Sequence, residues 1–230
     1  MIEIGKINFN NKRNILNVTL VVLEDTDIQA VRRFVLEQHA KMERKDFFII
    51  EDLDTELPLI FENDKGVVYG VMLDNKIIAI QAIDFSVENS VRLRYFIHSF
   101  LKNDYPIYEM GWTMVASEFR GYHIAEYLVS YIENSIKEQN CILSATVHPE
   151  NIKALALYMK RGYRGYAIAE YYGYNRMFLI KMPLSGKVIS KVCVECSKLK
   201  EIQDTLCKQY FCENIVEKDD KVFMEMILVK

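Results

Sequence analysis

The stretch "SEFRGYHIAEYL", Ser117 to Leu128, sets one basic residue, one glycine and two tyrosines where an apolar strand pattern gives way to an amphipathic helix pattern. A strand that turns straight into a helix leaves unpaired backbone N–H groups at the positive end of the helix dipole, which makes the junction an anion site. Arg120 adds a full charge and Gly121 lets the chain pass close to a ligand. "FRGYHIA" therefore has the parts to hold a pyrophosphate on main-chain amides. On spacing alone, one Arg-Gly before a helix is more often an ordinary turn. The chain has no G-x-G-x-x-G and no G-x-x-x-x-G-K-[ST], so a different phosphate-bearing ligand is required. Upstream, Glu109 places an acid inside the strand pattern "PIYEMGWTMVAS", where one is unusual.

These residues need elements to position them. Along that strand, alternation puts Glu109, Gly111, Thr113 and Val115 on one face and Met110, Trp112, Met114 and Ala116 on the other. After the junction Ile124, Leu128, Ile132 and Ile136 step by four beside Ala125 and Val129, while Glu126, Ser130, Glu133 and Lys137 point elsewhere, which predicts a helix of about four turns. "CILSATV" reads as a strand. "HPENIKALALYMKRGY" reads as a helix with Asn151 to cap its start and Gly162 to end it. Two strand runs follow, "YRGYAIAEY" and "NRMFLIKM". Upstream, "ILNVTLVVL" reads as a strand, Thr26 and Gln29 have capping-box spacing, and a helical stripe from Ile28 to about Lys41 is broken by Gln38. "GVVYGVML" and "IIAIQAI" flank "DNK" as a hairpin would, and "VRLRYFI" alternates as a strand. The first 14 residues carry no clear pattern. The order of elements predicts a mixed α/β fold of α+β character, a mixed central sheet with helices on its faces.

The 230 residues fit one large domain, or one with a small appendage. After "MPLSGK" a smaller strand, helix, strand pattern follows ("VISKVCVEC", "KLKEIQDTLCKQYF", "KVFMEMILV"), so the expected division is 1–184 and a C-terminal extension, 185–230. A net charge of -3 with mixed signs gives no basic field for nucleic acid. No run approaches the length of a membrane span, and five cysteines without an export signal fit reduced thiols, so a soluble, cytoplasmic protein with no membrane partner is expected. Cys193 and Cys196 form a C-x-x-C, and Cys207 with Cys212 would be the pair to complete a zinc site. Their strand and helix settings favour buried thiols and no metal. His39, His98 and His148 show no ligand spacing.

"MVASEFRGYHIAEYL" resembles the R-x-x-G-x-[GA] acetyl-CoA-binding segment of the Gcn5-related N-acetyltransferases (GNATs), with Arg120 and Ala125 at the outer positions and His123 where the family usually has Gly. "NIKALALYMKRGY" is similar to its N-x-x-A-x-x-x-Y-x-x-x-G-[FY] segment through Asn151, Ala154, Tyr158, Gly162 and Tyr163. The resemblance implies acetyl-CoA as acyl donor and an amine acceptor. It implies that backbone groups of Met114 and Val115 pair with the pantetheine arm and that amides from Arg120 through Gly121, Tyr122, His123 and Ile124 to Ala125 take the pyrophosphate. Asn151, Ala154 and Tyr158 would then approach the sulfur end. It further implies Tyr158 as the acid for the thiolate and a main-chain N–H near Val115 for the oxyanion; some members carry a general-base glutamate at the place of Glu109, although a strand-edge glutamate paired with a nearby Arg or Lys fits that position equally well. Tyr171, Tyr172 and Tyr174 fall where the family places acceptors, although clustered tyrosines also suit an ordinary half-buried loop. Two rival readings stand beside an N-acetyltransferase: a catalytically silent CoA-binding module whose tail contacts a partner or forms a homodimer, and an interaction protein that keeps only the fold.

Overall fold

The computed structural model describes residues 1–11, 14–51, 53–62, 65–85, 105–182 and 186–230. The chain divides into two compact units, Met1–Cys141 and Ile142–Lys230. Helices and antiparallel strands are mixed in both, so the mixed α/β class expected from the sequence is the one that forms. Among the described residues no helix is long and apolar enough to cross a membrane.

The first unit contains β1 (Ile2–Asn10), β2 (Ile15–Leu23), α1 (Ile28–Ala40), α2 (Leu53–Phe61), β3 (Gly66–Leu73), β4 (Lys76–Asp84), β5 (Ile107–Val115) and α3 (Ile124–Ser135). The five strands pair antiparallel in chain order. β2 shows why its sequence is an unbroken apolar run: Val21 and Leu23 face one core with α1 and α2, while Val18 and Leu20 face another with Ile124 and Leu128 of α3. The β3–β4 hairpin closes on Asp74 and Asn75, both at positive φ (47° and 63°), as a two-residue turn between twisted strands requires.

Several expectations change here. The first residues, which carry no clear pattern, form β1 on the edge of β2, and α2 was not anticipated. The capping box forms between Glu24 and Asp27, one turn ahead of α1, rather than between Thr26 and Gln29. Glu133 is buried on α3 instead of pointing away from the core. The strand expected at Val91–Ile97, and His98, lie outside the described residues.

The larger correction concerns β5. Directly opposed residues of an antiparallel pair share a face. Met110 opposes Ile83 and Met114 opposes Ile80. Ile80 and Ile83, three apart on one strand, face opposite ways. The expected alternation therefore breaks. Glu109 (opposite Asp84) and Gly111 (opposite Ala82) share the face of Met114, while Val115 (opposite Ala79) lies on the other. The cause is a bulge: the register shifts at Gln81, and Trp112 sits at φ 56°.

The second unit contains β6 (Ile142–Val147), α4 (Ile152–Met159), β7 (Arg164–Tyr171), β8 (Tyr174–Lys181), β9 (Val188–Glu195), α5 (Leu199–Leu206), β10 (Phe211–Lys218) and β11 (Lys221–Val229). Its antiparallel order is β6-β8-β7-β10-β11-β9. The extension thus has one strand more than the sequence pattern suggests. β10 and β11 form a hairpin on Asp219 and Asp220 (φ 52° and 58°), and α5 stops at Leu206 instead of running on to Phe211.

Candidate functional site

The junction expected to bind an anion is built at the end of β5. One short helical turn, Ser117–Phe119, separates the strand from α3, and Gly121 (φ 87°) and His123 (φ 61°) both take the left-handed conformation. Left-handed and right-handed residues in succession point neighbouring N–H groups into one concavity, a geometry suited to anions. No side chain caps α3, and the amides of Gly121, Tyr122, His123, Ile124, Ala125 and Glu126 donate to no protein group among the described residues. Six unmade donors at one helix N-terminus form a site for negative charge. A Cβ built on Gly121 would meet nothing within 4 Å, so space is open beside this backbone.

The side chains around it are placed by hydrogen bonds. Arg120 is exposed, and its Nε donates to the Val115 carbonyl at 3.4 Å, folding the guanidinium back over the end of β5. His123 Nδ1 lies 2.6 Å from Glu126 Oε2, so the imidazole is turned onto the first turn of α3. The Glu118 carboxyl is held below its ordinary range by its own backbone amide and by the Ser117 hydroxyl.

Two buried glutamines shape this region. Gln81 is fully buried in β4; its Nε2 donates to the Gly111 carbonyl at 2.8 Å, and its Oε1 accepts from the Thr113 hydroxyl. It therefore holds the chain on both sides of Trp112 and fixes the bulge. Gln38, 5% exposed on α1, accepts from the Ser117 amide at 3.3 Å and anchors the start of the turn. Sequence reasoning missed both roles. The signals were present in a lone Gln inside "IIAIQAI" and in the Gln that interrupts the α1 stripe. Between these anchors lie Met114, buried, and Val115, half-buried. Glu109 is half-buried one position from Tyr108, whose ring packs edge-on against Phe85 at 4.9 Å.

In the second unit, Asn151 caps α4 by accepting from the Ala154 amide at 3.2 Å, as its position predicts. His148, also buried, receives the Glu150 amide at 3.2 Å and shapes the same entry turn. Tyr158 is 4% exposed on the inward face of α4, with its ring 5.0 Å from that of Tyr163. Gly162 ends the segment at φ 88°. Tyr171 and Tyr174 face each other across the closing turn of the β7–β8 hairpin, where Tyr172 (φ 51°) and Gly173 (φ 78°) make the bend. The Tyr171 and Tyr172 rings pack edge-on at 4.5 Å, and all three tyrosines are half-buried.

The tail cysteines diverge. Cys193 and Cys207 are exposed, whereas Cys196 and Cys212 are buried. Burial pushes the Cys196 thiol up to about 11 and raises that of Cys212 as well. Among the described residues no group of three or more His, Cys, Asp or Glu side chains could hold a metal ion.

Residues 33–163 match the acetyltransferase (GNAT) family. No curated protein matches the sequence. Among solved structures, an N-acetyltransferase from Staphylococcus aureus Mu50 aligns at 16% identity over 71% of this chain and 96% of its own, with a TM-score of 0.51. The ribosomal-protein-S18-alanine N-acetyltransferase from Escherichia coli aligns at 14% identity over 75% and 99%, TM-score 0.52. NAA60 from Arabidopsis thaliana, solved in complex with acetyl-CoA, aligns at 12% identity over 71% and 97%, TM-score 0.52. At such identities the likeness is one of fold.

Proposed function

The chain belongs to the acetyltransferase (GNAT) family, a membership that implies acetyl-CoA-dependent acetyl transfer, and from that premise we propose that it is a cytoplasmic N-acetyltransferase. Its acceptor is a primary amine, a small molecule or a peptide N-terminus, which attacks directly in a ternary complex. Residues 1–184 carry the transfer and 185–230 extend it. The observation that carries the reading is the run of six free amides from Gly121 to Glu126 beside Arg120. Those donors, with open space at Gly121, fit a pyrophosphate.

Acetyl-CoA supplies the acetyl group in activated thioester form. Backbone groups of Met114 and Val115, held between the Gln81 and Gln38 anchors, align the pantetheine arm, and the amides that follow take the phosphates. Asn151 and Ala154, at the first turn of α4, flank the sulfur end. Glu109 accepts the proton that the attacking amine loses, and a main-chain N–H near Val115 donates to the carbonyl oxygen as negative charge collects there. Tyr158 returns a proton to the departing thiolate; burial suits a phenol that must begin protonated. Tyr171, Tyr172 and Tyr174 line the acceptor side.

Thiol release from acetyl-CoA, measured with a panel of primary amines, tests the reading. One amine class should release free thiol in step with acetylated product, and Tyr158→Phe should lower kcat by roughly 100-fold, the lower end for loss of an acid catalyst. Acetyl-CoA binding with no thiol release for any amine would instead establish the silent CoA-binding reading. Undiminished turnover in Tyr158→Phe would remove that phenol from the chemistry.

A further inference from the structure

β9 is the last strand of its sheet. It pairs with β11 on one side and with no strand among the described residues on the other. A bare edge offers a row of unpaired N–H and C=O groups to another chain, so edges are ordinarily blunted by proline, by bulges or by a covering element. β9 contains no proline, and its register with β11 is unbroken from Ser190 to Glu195.

The hydrogen bonds already made fix which groups face outward. In an antiparallel pair, successive residues turn their backbone groups alternately toward the partner and away from it. The Cys196 amide donates to the Val222 carbonyl at 2.8 Å, so Val194, Val192 and Ser190 also face β11. Glu195, Cys193 and Lys191 therefore turn their N–H and C=O groups to the open edge. Their side chains share one face of the sheet, where Cys193 is exposed although free cysteine is among the residue types most often buried. Val188 and Ile189, 47% and 54% exposed, continue the apolar strand beyond them.

We propose that this edge pairs with the same edge of a second copy of the chain, antiparallel about a two-fold axis through Cys193. A two-fold seam sets outward residues opposite outward residues, and charge then selects the register. Centred on Cys193, the seam places Lys191 opposite Glu195 of the other copy, twice over, and Val192 opposite Val194. Centred on Lys191, it would put two lysines face to face and oppose Glu195 to Lys187, whose amide and carbonyl are both bonded to Lys230. Centred on Val192 or Val194, it would leave every charge opposite an uncharged residue. Within the chain Lys191 holds Glu225 at 2.7 Å and Glu195 holds Lys221 at 3.2 Å, so the seam joins existing pairs into alternating rows: Glu225, Lys191, then Glu195 and Lys221 of the other copy. The attraction comes from the backbone bonds and the opposed valines, while the charges choose the register. This inference stands apart from the acetyl-transfer reading.

The register has a chemical signature. Opposed hydrogen-bonded residues have Cα atoms about 5.5 Å apart, within the span of a disulfide, so the two Cys193 thiols can be joined. Sedimentation velocity of the intact, reduced protein should show a dimer for the wild type and for Cys193→Ser, and a monomer for Cys193→Pro, which removes only an edge-facing N–H. Diamide, which takes two electrons and two protons from a thiol pair, should link the wild type and Cys207→Ser into covalent dimers. It should leave Cys193→Ser unlinked, although Cys207 is exposed too. A monomeric wild type would overturn the inference, as would a dimer that survives Cys193→Pro or one that diamide does not link through Cys193. If Cys193→Pro fails to fold, Lys191→Glu, at an exposed position, sets like charges across the seam and should weaken the dimer roughly tenfold. Unchanged dimer affinity in that variant is then the overturning result.

Discussion

His123 adopts φ 61° in a position where its family usually has glycine. For a residue with a Cβ this conformation costs about 1–2 kcal/mol. The sequence exposed the departure but not its resolution: the ring turns away along α3 to Glu126, which leaves the amide in place among the free donors. His123→Gly should therefore raise stability by about 1 kcal/mol, or about 2–4 °C in melting temperature, and keep acetyl-CoA affinity at least as high as in the wild type. A melting temperature that rises while affinity collapses would show that the imidazole itself contacts the ligand. Asn151 and Tyr158 were legible because their partners are local. Asn151 caps the helix three residues ahead of Ala154, and Tyr158 shares the buried stripe of Leu155 and Met159.

At the scale of elements, the bulge in β5 decides which groups face which side. Its cause lies 30 residues away in Gln81, so no window along β5 could show it; strict alternation was the only pattern available there. Gln81→Leu would leave the Gly111 carbonyl without its partner at a cost of about 1–3 kcal/mol, and the bulge should relax. The expected result is a folded protein of lower melting temperature whose KM for acetyl-CoA rises while its KM for the amine holds. Unchanged KM values in a folded Gln81→Leu would show that the bulge does not position the cofactor. The helices α3 and α4 were legible because each is a self-contained apolar stripe, α4 with Gly162 as its stop, although Glu133 of α3 falls on the buried side. β10 was missed for the opposite reason: its apolar positions are few, and its hairpin with β11 turns on two aspartates that read as ordinary loop.

At the scale of the whole molecule, each unit has an apolar core, and the second also buries two thiols, Cys196 and Cys212, that burial keeps protonated. The Cys196 pKa rises from its ordinary 9.0 to about 11, and Cys212 moves in the same direction. A folded-state pKa above the unfolded one stabilises the protein below the unfolded value and is lost as pH climbs through the folded value. Stability should thus hold up to about pH 9 and fall between pH 9 and 11, with a smaller fall in a Cys196→Ala, Cys212→Ala double variant; equal falls would show that other groups govern the alkaline limb. The central claim, that the free-amide turn after β5 holds the pyrophosphate of acetyl-CoA, is tested most directly by calorimetric titration of acetyl-CoA into the intact protein alongside Arg120→Ala. The account predicts a dissociation constant of about micromolar order for the wild type, weakened by roughly tenfold without the Arg120 charge, equivalent to about 1.4 kcal/mol. No heat of binding to the wild type, or equal affinity in Arg120→Ala, would contradict it.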